Sequence, residues 1–351
     1  MTSVKSIFHK SSFSAWVSIS ERHVFPVESR TVSPLYYASL KGILPAIKFL
    51  LADADIDIVG GRYGTAIQAA TSQGYREIVG MLIEANADVN IVEGEYGTAI
   101  HAAAVMGYRD MVKMLIHAKA NVNIVGGEYG TAIQAAATYG YQDIVETLIQ
   151  AKANVNIVNV GREYGTAIQA AVVGGYQDIV ETLIQANADV NIVGGRYGTA
   201  IQAAAAEGYR DIVETLIQAN ANVNMVGGRY GTAIQVAAAK GYQDIVETLI
   251  QANANVNIVG GRYGTAIQAA TGYRLFPRSS SESPQVQAIV ELLLKAGANP
   301  NGASDYINCD HEPIKSPIQY SEDLCWSGVV QLLLDAGAKD DRYLDKKSAT
   351  H

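Results

Sequence analysis

The sequence predicts an all-α solenoid, a stack of about nine helix hairpins joined by short β-hairpin fingers. Three observations carry that expectation. The string Tyr-Gly-Thr-Ala-Ile begins at Tyr63, Tyr96, Tyr129, Tyr164, Tyr197, Tyr230 and Tyr263, at intervals of 33, 33, 35, 33, 33 and 33 residues. A fixed period of that length marks a repeat architecture. Each copy holds two apolar runs at helical spacing. Of the 351 residues, 49% are AVILMFWYC and only 17% are charged, a folded composition and not a disordered one.

The copy from Gly60 to Val92 shows each element in turn. Gly60-Gly61 supplies a turn where positive φ costs little. Thr65 precedes Ala66-Ile67-Gln68-Ala69-Ala70 as an N-cap hydroxyl should. The short Ala-rich helix that follows lets a neighbour approach closely, and Gly74 ends it. A second helix is expected from about Arg76 to Ala85, with Ile78, Val79, Leu82 and Ile83 on one face. Asn86 occupies the left-handed stop after it. Lys119 and Lys152 stand at the same place and should be strained by roughly 1 kcal/mol if it is left-handed.

The 35-residue interval comes from an extra Asn159-Val160, and two degenerate copies flank the seven regular ones. Ser33-Pro34-Leu35 matches Thr65-Ala66-Ile67, and Ser316-Pro317-Ile318-Gln319 matches Thr265-Ala266-Ile267-Gln268. The second match is displaced by 51 residues, an excess of 51 − 33 = 18. About eleven of these form a Ser/Pro-rich stretch before a helix at Val290, and roughly seven lie in the finger after Asn301; both read as tolerated surface insertions. The organisation expected is a leader at 1–27, an array at 28–343 with an irregular eighth copy at 260–310, and a polar tail at 344–351. Tyr36-Tyr37 and the run ending at Lys339-Asp340-Asp341-Arg342 read as caps, because a stack of self-similar units needs polar ends.

Thr-x-Ile-x-x-Ala-Ala, then Gly-Tyr, Ile-Val-x-x-Leu-Ile and Ala-Asp-Val-Asn resemble the ankyrin repeat. That family's signature reads T-P-L-H-x-A-A-x-x-G-H, with I-V-x-x-L-L and G-A-D-V-N downstream. The resemblance covers about nine-tenths of the chain. Ala66 replaces Pro, which survives as Pro34 and Pro317; Gln68 replaces His, which survives as His101; Tyr75 replaces the second His, and Gly60 the finger Asp. These changes should alter the polar network between loops and not the fold, since Gln still donates and accepts. The variant Gly-Gly-x-Tyr-Gly-Thr-Ala-Ile-Gln-Ala-Ala also resembles the ankyrin arrays of fungal proteins that carry a NACHT-type nucleotide-binding module. No G-x-x-x-x-G-K-[ST] loop occurs in this chain.

Several kinds of chemistry find no support. The balance of 26 Lys+Arg against 34 Asp+Glu, −8 overall, argues against a nucleic-acid binder. No run of eighteen apolar residues offers a membrane span. Two cysteines make no disulfide scaffold, so a cytoplasmic, or nuclear, location is expected. Cys309, His311 and Cys325 fit no zinc spacing and read as a loop Cys and a core Cys. The six histidines are scattered, with no Ser/His/Asp or Cys/His set. No enzyme activity, cofactor or metal is expected, and the chain is read as a monomer. Asp110, Asp143, Asp178, Asp211 and Asp244 open second helices, where a carboxylate stabilises the helix N-terminus.

What recurs in every copy reads as scaffold. The tyrosine series of Tyr63 and of Tyr75 should serve the interface between copies, and the series of Asn90 loop hydrogen bonding. What varies reads as recognition. Three residues before each Thr stand Arg62, Glu95, Glu128, Glu163, Arg196, Arg229 and Arg262, charged in every copy with the sign changing in blocks. The first helix ends in Gln73, Met106, Tyr139, Gly174, Glu207 and Lys240. The ankyrin resemblance implies that these places face a concave groove where a protein partner binds. Fingers roughly 10 Å apart, comparable with the Debye length at ~0.1 M salt, would let charges within a block add. The expected function is non-catalytic protein recognition; the alternative is a sensor array separated from a nucleotide-binding module.

Overall fold

The computed structural model describes residues 32–159, 164–272, 284–303 and 306–339. The leader, the Ser/Pro-rich insertion and the tail fall outside them. The chain divides into two compact units, Met1–Asn159 and Val160–His351. The described residues hold eighteen helices, paired as nine hairpins as the repeat implies.

In the first unit the hairpins are α1 (Pro34–Leu40) with α2 (Leu44–Leu50), α3 (Ala66–Ser72) with α4 (Arg76–Glu84), α5 (Ala99–Val105) with α6 (Arg109–His117), and α7 (Ala132–Thr138) with α8 (Gln142–Gln150). In the second they are α9 (Ala167–Val173) with α10 (Gln177–Gln185), α11 (Ala200–Glu207) with α12 (Arg210–Gln218), α13 (Ala233–Lys240) with α14 (Gln243–Gln251), α15 (Ala266–Gly272) with α16 (Pro284–Lys295), and α17 (Pro317–Asp323) with α18 (Ser327–Asp335). Helix α16 starts at Pro284, ahead of the Val290 at which its apolar run is first legible. Within each unit first helices pack on first helices and second on second.

The first helices are buried almost all round. In α3 every residue from Ala66 to Ser72 is buried, and Ala side chains permit that closeness. The second helices bury one face, Ile78, Val79 and Leu82 in α4. Each then stops as expected: Asn86, Lys119, Lys152, Asn187, Asn220 and Asn253 all have φ between +62° and +67°. At that stop the Asn86 N–H donates to Ile83 O at 2.9 Å and the Ala87 N–H to Leu82 O at 3.0 Å, satisfying carbonyls the helix leaves open.

The polar network differs from that of a histidine-based repeat in a definite way. Gln68 Oε1 accepts the Thr65 N–H at 2.6 Å, while Gln68 Nε2 donates to Ile91 O and Glu93 O in the next finger, each at 3.0 Å. Gln235 repeats this with Thr232 N–H at 2.6 Å, Ile258 O at 2.7 Å and Gly264 O at 2.5 Å. One buried amide therefore caps its own helix and ties down the following finger. His101 does the same with an imidazole. Its Nδ1 lies 2.6 Å from Thr98 Oγ1 and its Nε2 3.0 Å from Ile124 O, the tautomer following from those partners. Tyr36 occupies the same place in the first copy, and its hydroxyl accepts the Tyr63 N–H at 3.2 Å.

The asparagine series forms a second ladder. Asn90 Oδ1 accepts the Asn121 N–H, and Asn123 Oδ1 the Asn154 N–H, both at 2.7 Å. Asn191, Asn224 and Asn257 repeat the bond at 2.7 Å in the second unit. The Tyr75-type rings lie over the glycine of the preceding copy. A Cβ on Gly107 (φ +75°) would come within 2.8 Å of the Tyr141 ring, and one on Gly208 (φ +83°) within 2.8 Å of Tyr242.

Six of the regular fingers are short hairpins closed on a single bridge, such as Gly60↔Gly64 or Gly227↔Gly231, because glycines with positive φ turn the chain within four residues. One expectation fails. Cys325 is not a core residue. It is exposed at φ +58° in the position that Gly74 holds in a regular copy, and Trp326 beside it, at the tyrosine's position, is buried where Tyr75 is exposed.

Candidate functional site

The finger bridges fix where the variable charges stand. With Gly60 and Gly64 paired, the residue between them lies at the tip, and Arg62, Glu95 and Glu128 are exposed in the first unit. Arg196 and Arg229 are exposed in the second, while Arg262 is half-buried. Glu163 lies outside the described residues. At the ends of the first helices Gln73 and Tyr139 are exposed, and Met106, Glu207 and Lys240 are half-buried.

Adjacent fingers are closer than the ~10 Å that charge addition at Debye range assumed. The Tyr63 and Tyr96 rings stack at 5.8 Å, Tyr197 and Tyr230 at 6.1 Å, and Tyr230 and Tyr263 at 6.3 Å. The backbone joins them directly, Glu95 N–H donating to Arg62 O at 3.0 Å and Arg262 N–H to Arg229 O at 3.0 Å. Opposite charges on neighbouring tips therefore pair. Arg62 Nη2 donates to Glu95 Oε1 at 3.0 Å and Arg62 Nε to Glu95 Oε2, a bond that holds the Arg62 guanidinium more firmly in its charged form. The acidic block of the first unit is thereby reduced to Glu128, which has no ion-pair partner among the described residues.

The structure joins the two variable columns through the finger tyrosines. The Tyr129 hydroxyl meets the Tyr139 hydroxyl, with the rings edge to face at 5.3 Å, and Tyr139 stacks on Tyr141 at 6.1 Å. In the second unit the Tyr197 hydroxyl donates to Glu207 Oε1 at 2.6 Å. Burial, reinforced by that bond, pushes the Tyr197 hydroxyl well above the ordinary tyrosine range. Tyr129 and Tyr197 thus belong to the variable surface as well as to the ladder, because a residue ten positions on bonds to each.

Asp310 was not legible as part of this surface. It lies in the long finger of the eighth copy, which closes on an Ile307↔Pro313 bridge. Asp310 Oδ1 and Oδ2 each accept from Arg229 Nη2 at 3.3 Å, and Oδ2 lies 3.2 Å from Arg262 Nε. The only sequence signal was the 18-residue excess, which says that a loop grows and not where it goes.

Among the described residues no group of three His, Cys, Asp or Glu is placed to hold a metal ion, and no helix is long and apolar enough to cross a membrane. The opening carboxylates of the second helices do more than face a helix N-terminus: Asp110 lies 3.4 Å from Arg76, and Asp143 3.6 Å from Arg109, each bridging to the preceding copy.

Comparisons with known proteins agree with this geometry. The ankyrin-domain crystal structure of human ASB11 aligns with a TM-score of 0.51 and 25% identity, covering 69% of this chain and 98% of that one. No curated protein matches by sequence. The sequence model "Ankyrin repeats (3 copies)" matches residues 35–126, 120–194 and 193–260. These matches run through most of the described copies, and the chain belongs to the ankyrin-repeat family.

Proposed function

We propose that the chain is a non-catalytic recognition module that binds a partner protein through the concave face formed by fingers and first helices. Ankyrin repeats generally mediate protein–protein interaction, which supports the class. The observation that carries the finer reading is the cluster of Tyr129, Tyr139 and Tyr141, which leaves the Tyr139 ring exposed beside the finger carrying Glu128, a carboxylate with no ion-pair partner among the described residues. Aromatic and Met side chains are enriched at protein interfaces. Met106 holds the same position one copy earlier. The first unit would then take an apolar anchor that carries basic residues.

The test is kinetic, on a partner recovered by pull-down with the full chain. Met106→Ala with Tyr139→Ala should raise the dissociation rate about tenfold or more. Glu128→Lys should slow association and weaken its salt dependence. Glu95→Lys should do so less, because Arg62 already neutralises Glu95. Unchanged kinetics in all three would sink the reading. The variant finger motif favours a second reading, a sensor array related to fungal NACHT-type proteins; selective recovery of a nucleotide-binding protein of that type would support it.

A further inference from the structure

We propose that Arg196, Arg229 and Arg262 form a docking strip for an extended acidic peptide of a partner protein, and that Asp310 occupies part of this strip as an internal stand-in. The strip lies wholly in the second unit and does not rest on the reading given for the first.

Three guanidinium-bearing tips follow one another here on fingers whose rings stack about every 6 Å, at 6.1 and 6.3 Å. In the first unit two neighbouring tips, Arg62 and Glu95, carry opposite charges and pair. In the second the arginine tips cannot, and like charges at this spacing repel. The fold answers with one carboxylate shared by two arginines, Asp310 between Arg229 and Arg262. Arg196, one finger along, has no ion-pair partner among the described residues. The site is therefore shown to take a carboxylate, and it is half open.

The spacing identifies the ligand further. An extended chain rises 3.2–3.4 Å per residue, so alternate side chains on one side recur about every 6.6 Å. That is close to the 6.1 and 6.3 Å steps of the stacked Tyr197, Tyr230 and Tyr263 rings, each next in sequence to one of the three arginines. A segment with Asp or Glu at every second position can thus set one carboxylate at each of the three arginines, where charge-assisted hydrogen bonds are strongest.

Asp310 is placed to yield. Its loop is closed by its own atoms: Asn308 Oδ1 accepts the Asp310 and Glu312 N–H groups, each at 2.9 Å, and the Tyr306 hydroxyl anchors the base to Gly261 O at 2.9 Å. Cys309, Asp310, His311 and Glu312 are exposed. The carboxylate can leave the arginines without the loop or the helices coming apart.

The probe is a fluorescein-labelled peptide with Asp at every second position, against the same peptide with Asn, followed by anisotropy on the full chain. The Asp peptide should bind, with affinity falling as salt rises, and the Asn peptide should not. Asp310→Asn should tighten binding about three- to tenfold by removing the internal competitor. Arg196→Gln, which breaks no ion pair among the described residues, should weaken it several-fold, and Arg229→Gln with Arg262→Gln should abolish it. Glu84→Gln, at the exposed end of α4 in the first unit, should leave it unchanged. Equal binding of the Asn peptide, no gain with Asp310→Asn, or no loss with Arg196→Gln would overturn the proposal. Tighter capture of a single-stranded oligonucleotide by the same arginines would overturn the choice of ligand.

Discussion

Gln68 and Arg62 stand six residues apart in one copy, and their columns behave in opposite ways. The Gln68 column is buried, holds Gln in all but one of the regular copies, and makes the same bonds each time. The Arg62 column is largely exposed and changes sign along the chain; among the described tips Arg62 and Glu95 pair with each other, Arg229 and Arg262 share Asp310, and Glu128 and Arg196 have no ion-pair partner. What separates them is the fate of the hydrogen bonds. A buried amide that serves its own helix and the next finger has no solvent to replace it, so any change costs the desolvation of several backbone groups. A tip guanidinium keeps water on most of its surface, so its partner can be exchanged cheaply. Uniformity between copies therefore goes with burial and shared hydrogen bonds, and variation with exposure to solvent.

The sharpest way to break this comparison is to empty one buried position. Gln235 is fully buried. Gln235→Ala would strand the Thr232 N–H and the Ile258 carbonyl, would leave the Gly264 carbonyl with the Gly260 N–H alone, and should cost about 2–4 kcal/mol. The measurement is the denaturant midpoint. Because neighbouring copies stabilise each other, the loss should also lower the cooperativity of unfolding. A change below ~0.5 kcal/mol would mean that water takes over the bonds and that the column is not a scaffold.

Much of this scaffold was legible because a repeat displays the same physical constraint several times over. Six successive stops at Asn or Lys pointed to a left-handed residue, and all six are left-handed. The Thr ahead of each first helix announced an N-cap, and the structure adds the Gln three residues on to make it a reciprocal capping box. The bridging half of the Gln bond was not legible, since its acceptors lie 23 to 29 residues downstream, in the next copy. Of the candidate surface, the sequence located the columns but not their connections. The pairing of Arg62 with Glu95 needed the true finger spacing, and Asp310 needed the path of an insertion that obeys no period. Cys325 misled because a buried residue was expected where the backbone required the conformation of a glycine.

His101 is the one imidazole in the buried column, and it sharpens the comparison by making scaffold stability depend on pH. Burial pushes its pKa down from 6.5 to about 4. Above pH 6.5 the ring is neutral in folded and unfolded chains and contributes no pH dependence. Between 6.5 and about 4 only the unfolded chain takes up the proton, so stability falls as pH falls. Below about 4 both forms are protonated and the difference stays constant. The shift corresponds to about 3 kcal/mol lost across that window. His101→Gln, which restores the amide of the other copies, should remove this component. Denaturation of the two proteins at pH 7 and pH 4.5 isolates it from the carboxylates they share. Parallel losses in both would show that the ring is protonated or exposed in the folded chain.

The smallest effect belongs to the exposed column. Arg62 and Glu95 make two hydrogen bonds, yet their side chains keep 54% and 37% of their surface in solvent. Exposed pairs of this kind contribute about 0.2–1 kcal/mol, and their contribution shrinks with salt. Arg62→Ala should therefore shift the denaturant midpoint by less than about half of what Gln235→Ala does, and by less still at 0.5 M salt. Its larger consequence is electrostatic. Freed of Arg62, Glu95 would join Glu128 as an open charge, and a basic partner of the first unit should associate faster at low salt. A stability loss comparable with that of Gln235→Ala would place the finger tips in the scaffold and erase the distinction between the two columns. A small loss with faster association would locate recognition at the tips.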